Sequence, residues 1–324
     1  MTPGCLMTNM LSRVADNLYW ASRYLERAEH TARVADVNLN LALEQNSTDT
    51  SRWMRTIGAL GFKAPSVILA EEAFTQWLLF DPSNHSSVVS SIMSARENAR
   101  QVREQISSEM WEQLNRLFHQ VKSGQAAVGA GMQPVTFLSE VRDGSHLFQG
   151  ITDSTMNHGE GWQFIQLGRF IERACASATL LNSHFREFRQ VVLGAEDHLE
   201  WIGLLKCLTA FEAYCKVYSA EPQPEQIAEF LLLSAEFPHS IRFSVDAIQT
   251  AMKHLPGTPQ RKGMGRPARL AGKLSASLSF SPIEEIMASG LNPYLEHFHR
   301  QCNEIHQAIH QVYVEYPVES AIEA

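Results

Sequence analysis

The chain has 324 residues, 44% of them hydrophobic, long enough for two domains or one large one with a sizeable core. A net charge of −8 argues against nucleic acid or an anionic membrane as the main partner. Five scattered cysteines (Cys5, Cys175, Cys207, Cys215, Cys302) without a C-x-x-C pair point to reduced thiols, and no apolar run approaches the roughly 20 residues that cross a bilayer.

Residues 1–9 lack the basic and apolar regions of a signal peptide and read as a disordered leader before Met10, so a cytoplasmic location is expected. Val14, Leu18, Ala21, Leu25, Ala28, Ala32, Ala35, Leu39 and Ala42 follow at an unbroken 4-3-4-3 spacing. The spacing predicts a helix from Ser12, a good N-cap, to about Glu44. Small residues at half of this heptad seam predict close packing. A second long helix is expected from Ser87 to about Val121, its apolar stripe (Ile92, Ala95, Ala99, Val102, Ile106, Met110, Leu114, Leu117, Val121) carrying one residue of phase slip.

Gly124, Gly129 and Gly131 read as a loop, Pro134 opens a helix to about Gln149, and residues 152–161 read as a tight loop. Phe164, Leu167, Ile171, Ala174, Ala178, Leu181, Phe185 and Phe188 then repeat the seam. Further helices are expected over 197–218, 224–233, 238–254, 282–288 and 291–314, and no strand pattern is present. The fold expected is all-α, an elongated multi-helix bundle.

Residues 16–35 align with 162–181 at an offset of 146, both copies reading R-[YF]-[LI]-E-R-A, and Ser87-Val88 match Ser240-Ile241 at 153. These matches predict two diverged copies of one long-helix unit, residues 10–150 and 151–316, packed as one bundle, with a tail over 317–324. With Leu18 and Leu25 at seam positions, Arg23, Glu26 and Arg27 lie on the side away from the seam, as do Arg169, Glu172 and Arg173 in the second copy. Two readings follow. The trios form ordinary salt bridges on a solvated face, or other helices cover them and they become a fixed guanidinium cluster that anchors the bundle or holds a carboxylate or phosphate.

At these residues the chain resembles the bacterial alpha-E family. The resemblance rests on residues 10–20 with Arg23-Tyr24-Leu25-Glu26-Arg27-Ala28, on Phe80-Asp81-Pro82 and on Ser94-Ala95-Arg96-Glu97-Asn98-Ala99-Arg100. Gly159-Glu160-Gly161-Trp162 and Leu167-Gly168-Arg169 extend it, while His85 departs where a proline is usual. The resemblance implies a helical protein that accompanies, or is fused to, ATP-grasp amide ligases and transglutaminase-like proteins in peptide synthesis or modification. An accessory or scaffold role is therefore expected, with no cofactor. The alternative is an enzyme or an anion-binding module that uses the repeated Glu-Arg motif on a peptide or phosphorylated substrate.

Other candidates are His158 and Glu160, where flanking glycines and a helix start could hold an anion or merely let Glu160 stabilise the first turn. His299, Cys302, His306 and His310 have zinc-like spacing, but Cys302 falls in a seam, and no metal is expected. Glu26 and His30 are four apart, and their second-copy counterparts are Glu172 and Ala176, so the Glu-x-x-His pattern of di-iron bundles is absent. Lys253, Arg261, Lys262, Arg266, Arg269 and Lys273 fall in a stretch rich in Gly and Pro, read as a basic loop that docks an acidic partner or simply connects helices.

Overall fold

The computed structural model describes residues 10, 12–44, 50–64, 71–129, 131, 133–188, 195–255 and 265–314. Among these residues all regular structure is helical. The first half comprises α1 (Ser12–Glu44), α2 (Thr50–Leu60), α3 (Glu71–Leu79), α4 (Val88–Gln101), α5 (Ser108–Gly129) and α6 (Pro134–Thr155). α7 (Glu160–Phe188), α8 (Ala195–Cys207), α9 (Phe211–Val217), α10 (Pro224–Leu233), α11 (Ile241–His254), α12 (Gly265–Phe280), α13 (Ile283–Ser289) and α14 (Leu291–Ile309) follow, and a π turn over His310–Val314 closes the described chain. The expected leader and tail lie outside the described residues.

The two helices that carry the seams form the centre. They run side by side in the same direction, Leu18 beside Gly161, Ser22 beside Ile165 and Glu26 beside Arg173. α1 is flanked by α4 and α6, and α7 by α11 and α14. Each is also packed by a helix of the opposite half, α8 on α1 and α2 on α7. α5 pairs with α4 and α6, and α12 with α11 and α14, so one continuous core spans both halves.

Small side chains set how closely the centre packs. A Cβ on Gly168 would lie 2.2 Å from the carbonyl oxygen of Tyr19, so only glycine lets the backbones approach this closely. Ser22 Oγ uses the same proximity to donate to the carbonyl of Ile165 at 2.7 Å. Ala28, Ala32, Ala174 and Ala178 are fully buried around this crossing. The flanking helices begin alike. Ser87 Oγ accepts the Ser90 amide at 3.2 Å to cap α4, and Ser240 Oγ accepts the Phe243 amide at 3.0 Å to cap α11.

Several boundaries differ from the sequence reading. The helix expected over 87–121 is two helices, α4 and α5, folded against each other through a 3-10 turn at Arg103–Gln105. The phase slip at Val102 and Ile106 is this turn. Gly124 lies inside α5, where a Cβ would meet the Phe137 ring at 2.5 Å, so it marks helix packing and not a loop. α6 continues to Thr155, which shrinks the loop expected over 152–161 to residues 156–159. The helix expected over 197–218 breaks at Thr209, whose φ of 53° is left-handed, and the Ala210 amide turns back to the Leu205 carbonyl at 2.8 Å. The basic stretch is helical from Gly265, and its Arg266, Arg269 and Lys273 are exposed on α12, while Arg261 and Lys262 lie outside the described residues.

Candidate functional site

The Glu-Arg motif lies in the interface between α1 and α7, and its partners are exchanged between the two helices. Glu172 of α7 accepts Arg23 Nε at 2.7 Å and Arg27 Nε at 2.6 Å, both from α1. Glu26 of α1 accepts Arg173 of α7 through Nε at 2.5 Å and Nη2 at 3.0 Å, a bidentate pair. Arg169 Nε stands 3.8 Å from Glu26 Oε2, an oxygen that Gln149 Nε2 of α6 also reaches at 3.1 Å. Each carboxylate thus faces the two arginines of the other helix.

Burial of this cluster follows from the position of α1, against which α2, α4, α6, α7 and α8 all pack. Glu26 is only 2% exposed and Arg173 only 5%, so the face opposite the seam is covered. Aromatic rings form the floor. Arg27 lies over Tyr24 and Arg173 over Phe170, each at 5.4 Å, and each ring follows the first arginine of one of the two R-[YF]-[LI]-E-R-A stretches. Burial pushes the Glu172 carboxyl up, but Arg23 and Arg27 outweigh it and hold the group below its ordinary value. Arg173 Nη1 also donates to the carbonyl of Pro238, and Ser177 Oγ to that of His239, fixing α7 to the start of α11.

Two carboxylates against four guanidinia leave the cluster cationic. Burial lowers Arg169 to about 10, and the neighbouring Arg173 adds to the effect. His30 is buried beside the cluster, and desolvation lowers its pKa, so its ring is neutral near pH 7.

On the outer side of Arg23 and Arg27 opens a cleft of about 280 Å³. His30, Thr31, Phe62, Glu172, Cys175 and Thr179 are among its lining residues. A hydrogen bond with Cys302 draws the Cys175 thiol below its ordinary value against the effect of burial, and His299 and Arg23 act in the same direction.

The remaining candidates lie apart. Glu160 is nine residues along α7 from Arg169, ~13 Å at ~1.5 Å per residue. Its carboxylate accepts the Met10 amide at 3.2 Å, tying the start of the described chain to the first turn of α7. His158 stacks on Trp162 with ring centroids 4.2 Å apart and stands half exposed, away from the cluster. On α14, His306 Nδ1 meets Tyr19 Oη at 2.8 Å, His299 Nε2 meets Thr179 Oγ1 at 3.2 Å, and Cys302 is core. Among the described residues no group of three or more His, Cys, Asp or Glu is gathered as a metal site.

Sequence reasoning missed a second polar layer along α1. Buried Glu29 pairs with Arg33 one turn on and stands 3.5 Å from His146 of α6, while Asp36 accepts Arg142 Nη1 at 2.6 Å. The i,i+4 pairing of Glu29 with Arg33 was visible in the sequence. The layer's partners on α6, His146 and Arg142, lie more than a hundred residues away in the chain and carried no sequence signal. The Cys175–Cys302 contact between α7 and α14 carried no sequence signal.

Together these features describe an all-α protein whose two central helices are locked by reciprocal glutamate–arginine pairs. The chain belongs to the Alpha-E family, described as a predicted alpha-helical domain with a conserved ER motif, whose model matches residues 10–314. It is 26% identical over 308 residues to an uncharacterized protein of Mycobacterium bovis, covering 87% of this chain and 34% of the relative. An uncharacterized protein of Mycobacterium tuberculosis is 25% identical over 308 residues, with the same coverage. The chain thus spans about a third of the length of the curated relatives it matches. No solved structure matches it.

Proposed function

We propose that the chain is a non-catalytic helical accessory protein, built by duplication, that acts in the cytoplasm beside an ATP-grasp amide ligase or a transglutaminase-like protein of a peptide-forming or peptide-modifying system. One observation carries the reading: both motif carboxylates, the natural acid–base groups, are clamped by guanidinia of the opposite helix. Glu172, held ionised in this way, is a poor proton donor near neutral pH, and Glu26, only 2% exposed, is closed off from a substrate. The motif then serves as the joint of the bundle. Relatives about three times as long fit a unit that works attached to, or beside, other domains. The family resemblance supplies the identity of the partners.

Co-expression with an ATP-grasp ligase from the same organism tests the proposal. Co-purification of the two, or a rise in ligase turnover when this chain is added, is the expected result. A ligase that neither binds the chain nor changes its rate removes the reading. An enzyme working through the motif would instead lose turnover in Arg173→Ala while keeping its melting temperature.

A further inference from the structure

The cleft beside Arg23 and Arg27 holds polar groups that the folded chain leaves without partners. Thr31 Oγ1 is fully buried and makes no hydrogen bond, although a helical threonine can bond the carbonyl four residues back. His30 Nε2 is equally buried and equally without a partner. Both residues line the cleft. Buried polar groups of folded proteins are almost always satisfied, so two orphans in one cavity mark the place of an absent partner.

The arginines indicate its charge. Arg27 directs Nε to Glu172, and its terminal nitrogens make no hydrogen bond among the described residues. Arg23 spends Nε on Glu172 and Nη1 on Tyr19. Two guanidinia against one carboxylate leave this side of the joint with one surplus positive charge. A single negative charge balances it, and a planar carboxylate suits the fork of a guanidinium. Thr31 lies one turn beyond Arg27 on the same face and adds a hydroxyl donor, and the neutral His30 ring can donate from Nε2. Leu60, Phe62 and Ala176 supply an apolar wall, and about 280 Å³ accommodates one amino-acid residue.

We infer that this cleft binds the free carboxylate of a peptide or N-acylated amino acid, with Arg27, Thr31 and His30 as its ligands. The assignment of the acid to a peptide rests on the accessory reading above; the carboxylate chemistry rests on the cleft alone.

Isothermal titration of the intact chain with N-acetylphenylalanine, its C-terminal amide and inorganic phosphate tests the inference. The acid is expected to bind and the amide to bind at least tenfold more weakly. Thr31→Val should weaken the acid at least threefold without lowering the melting temperature, since the hydroxyl it removes bonds nothing in the free protein. Arg27→Gln should abolish binding. Bound acid should also slow alkylation of Cys175 by iodoacetamide, read on its tryptic peptide, because Cys175 lines the same cavity. Acid and amide binding alike, phosphate binding in place of the acid, or no binding by either would overturn the inference. A chain that binds the acid but no ligase keeps this site and loses the accessory role; one that binds a ligase but ignores the acid does the reverse.

Discussion

At the residue scale the decisive fact is that Glu26 and Glu172 are buried against charges supplied by the opposite helix. Removing one partner of a buried pair leaves the other uncompensated, a change that costs about 3–5 kcal/mol. Glu26→Gln should therefore lower the melting temperature sharply, because it strands Arg173 and Arg169 together in the interior. Arg100→Ala, which breaks an exposed pair with Glu97, should leave thermal melts almost unchanged.

Partly buried histidines give a second expectation at this scale. Burial, with Arg55 nearby, pushes His184 from its ordinary 6.5 down to about 3, and His306 is lowered to about 4 by burial and by Arg23. Between the unfolded and folded values the unfolded chain binds the proton and the folded chain does not, so stability falls as pH drops below about 6.5. Depressed Glu172 continues the loss at lower pH, since its contribution is present above the unfolded value and fades as pH falls through the folded one. Melting temperature followed from pH 7.5 to 4 should decline, and His184→Phe should flatten the upper part of the slope. A flat profile for the unaltered chain would show that these rings are protonated in the fold.

Among the elements, α1 and α7 were legible because heptad spacing and helix-forming residues agree over long stretches, and Ser12–Glu44 matches the expected span. Where the turns lie was less legible. The phase slip near Val102 announced a change of direction, but the loop lacks glycine and proline, so the sequence reads as a continuous helix. Thr209 hides its break for a similar reason, since a β-branched residue is an unlikely occupant of a left-handed position. α2 and α3 escaped notice because such short helices offer too few turns for periodicity. The candidate site was half legible: the spacing revealed the repeated trio and its complementary charges, but whether that face was wet depended on helices elsewhere in the chain.

The contact between α1 and α7 makes its own prediction. Gly168→Ala forces a methyl group against the Tyr19 backbone, and overpacking of this kind costs about 1–3 kcal/mol or more. Gly150→Ala on α6, where a Cβ meets nothing within 4 Å, should leave stability unchanged or raise it by up to about 1 kcal/mol. Urea denaturation of the two variants side by side checks the pair. Equal midpoints would mean that the helices cross less closely than described.

For the whole molecule, one core joins the halves, and each half completes the charges of the other. The chain should therefore unfold in a single transition, with tryptophan fluorescence and far-ultraviolet circular dichroism giving the same midpoint in urea. Two separated transitions would mean that each half folds for itself. No helix among the described residues is long and apolar enough to cross a membrane. Helices of the same molecule cover the polar layer along α1, where Glu29, Arg33 and Asp36 are buried.

The alternation of charge along the central pair also indexes how the two helices line up. Sliding α7 by one turn in one direction would bring Gly168 and Arg169 to the place of Glu172, setting guanidinium against guanidinium. Sliding it the other way would bring Ala176 there and leave Arg23 and Arg27 facing a methyl group. Packing points to the same alignment, because a slide by one turn would also bring Phe164 or Glu172 to the place where only Gly168 fits against the Tyr19 carbonyl. The four arginines and two glutamates admit one alignment, as a key admits one lock.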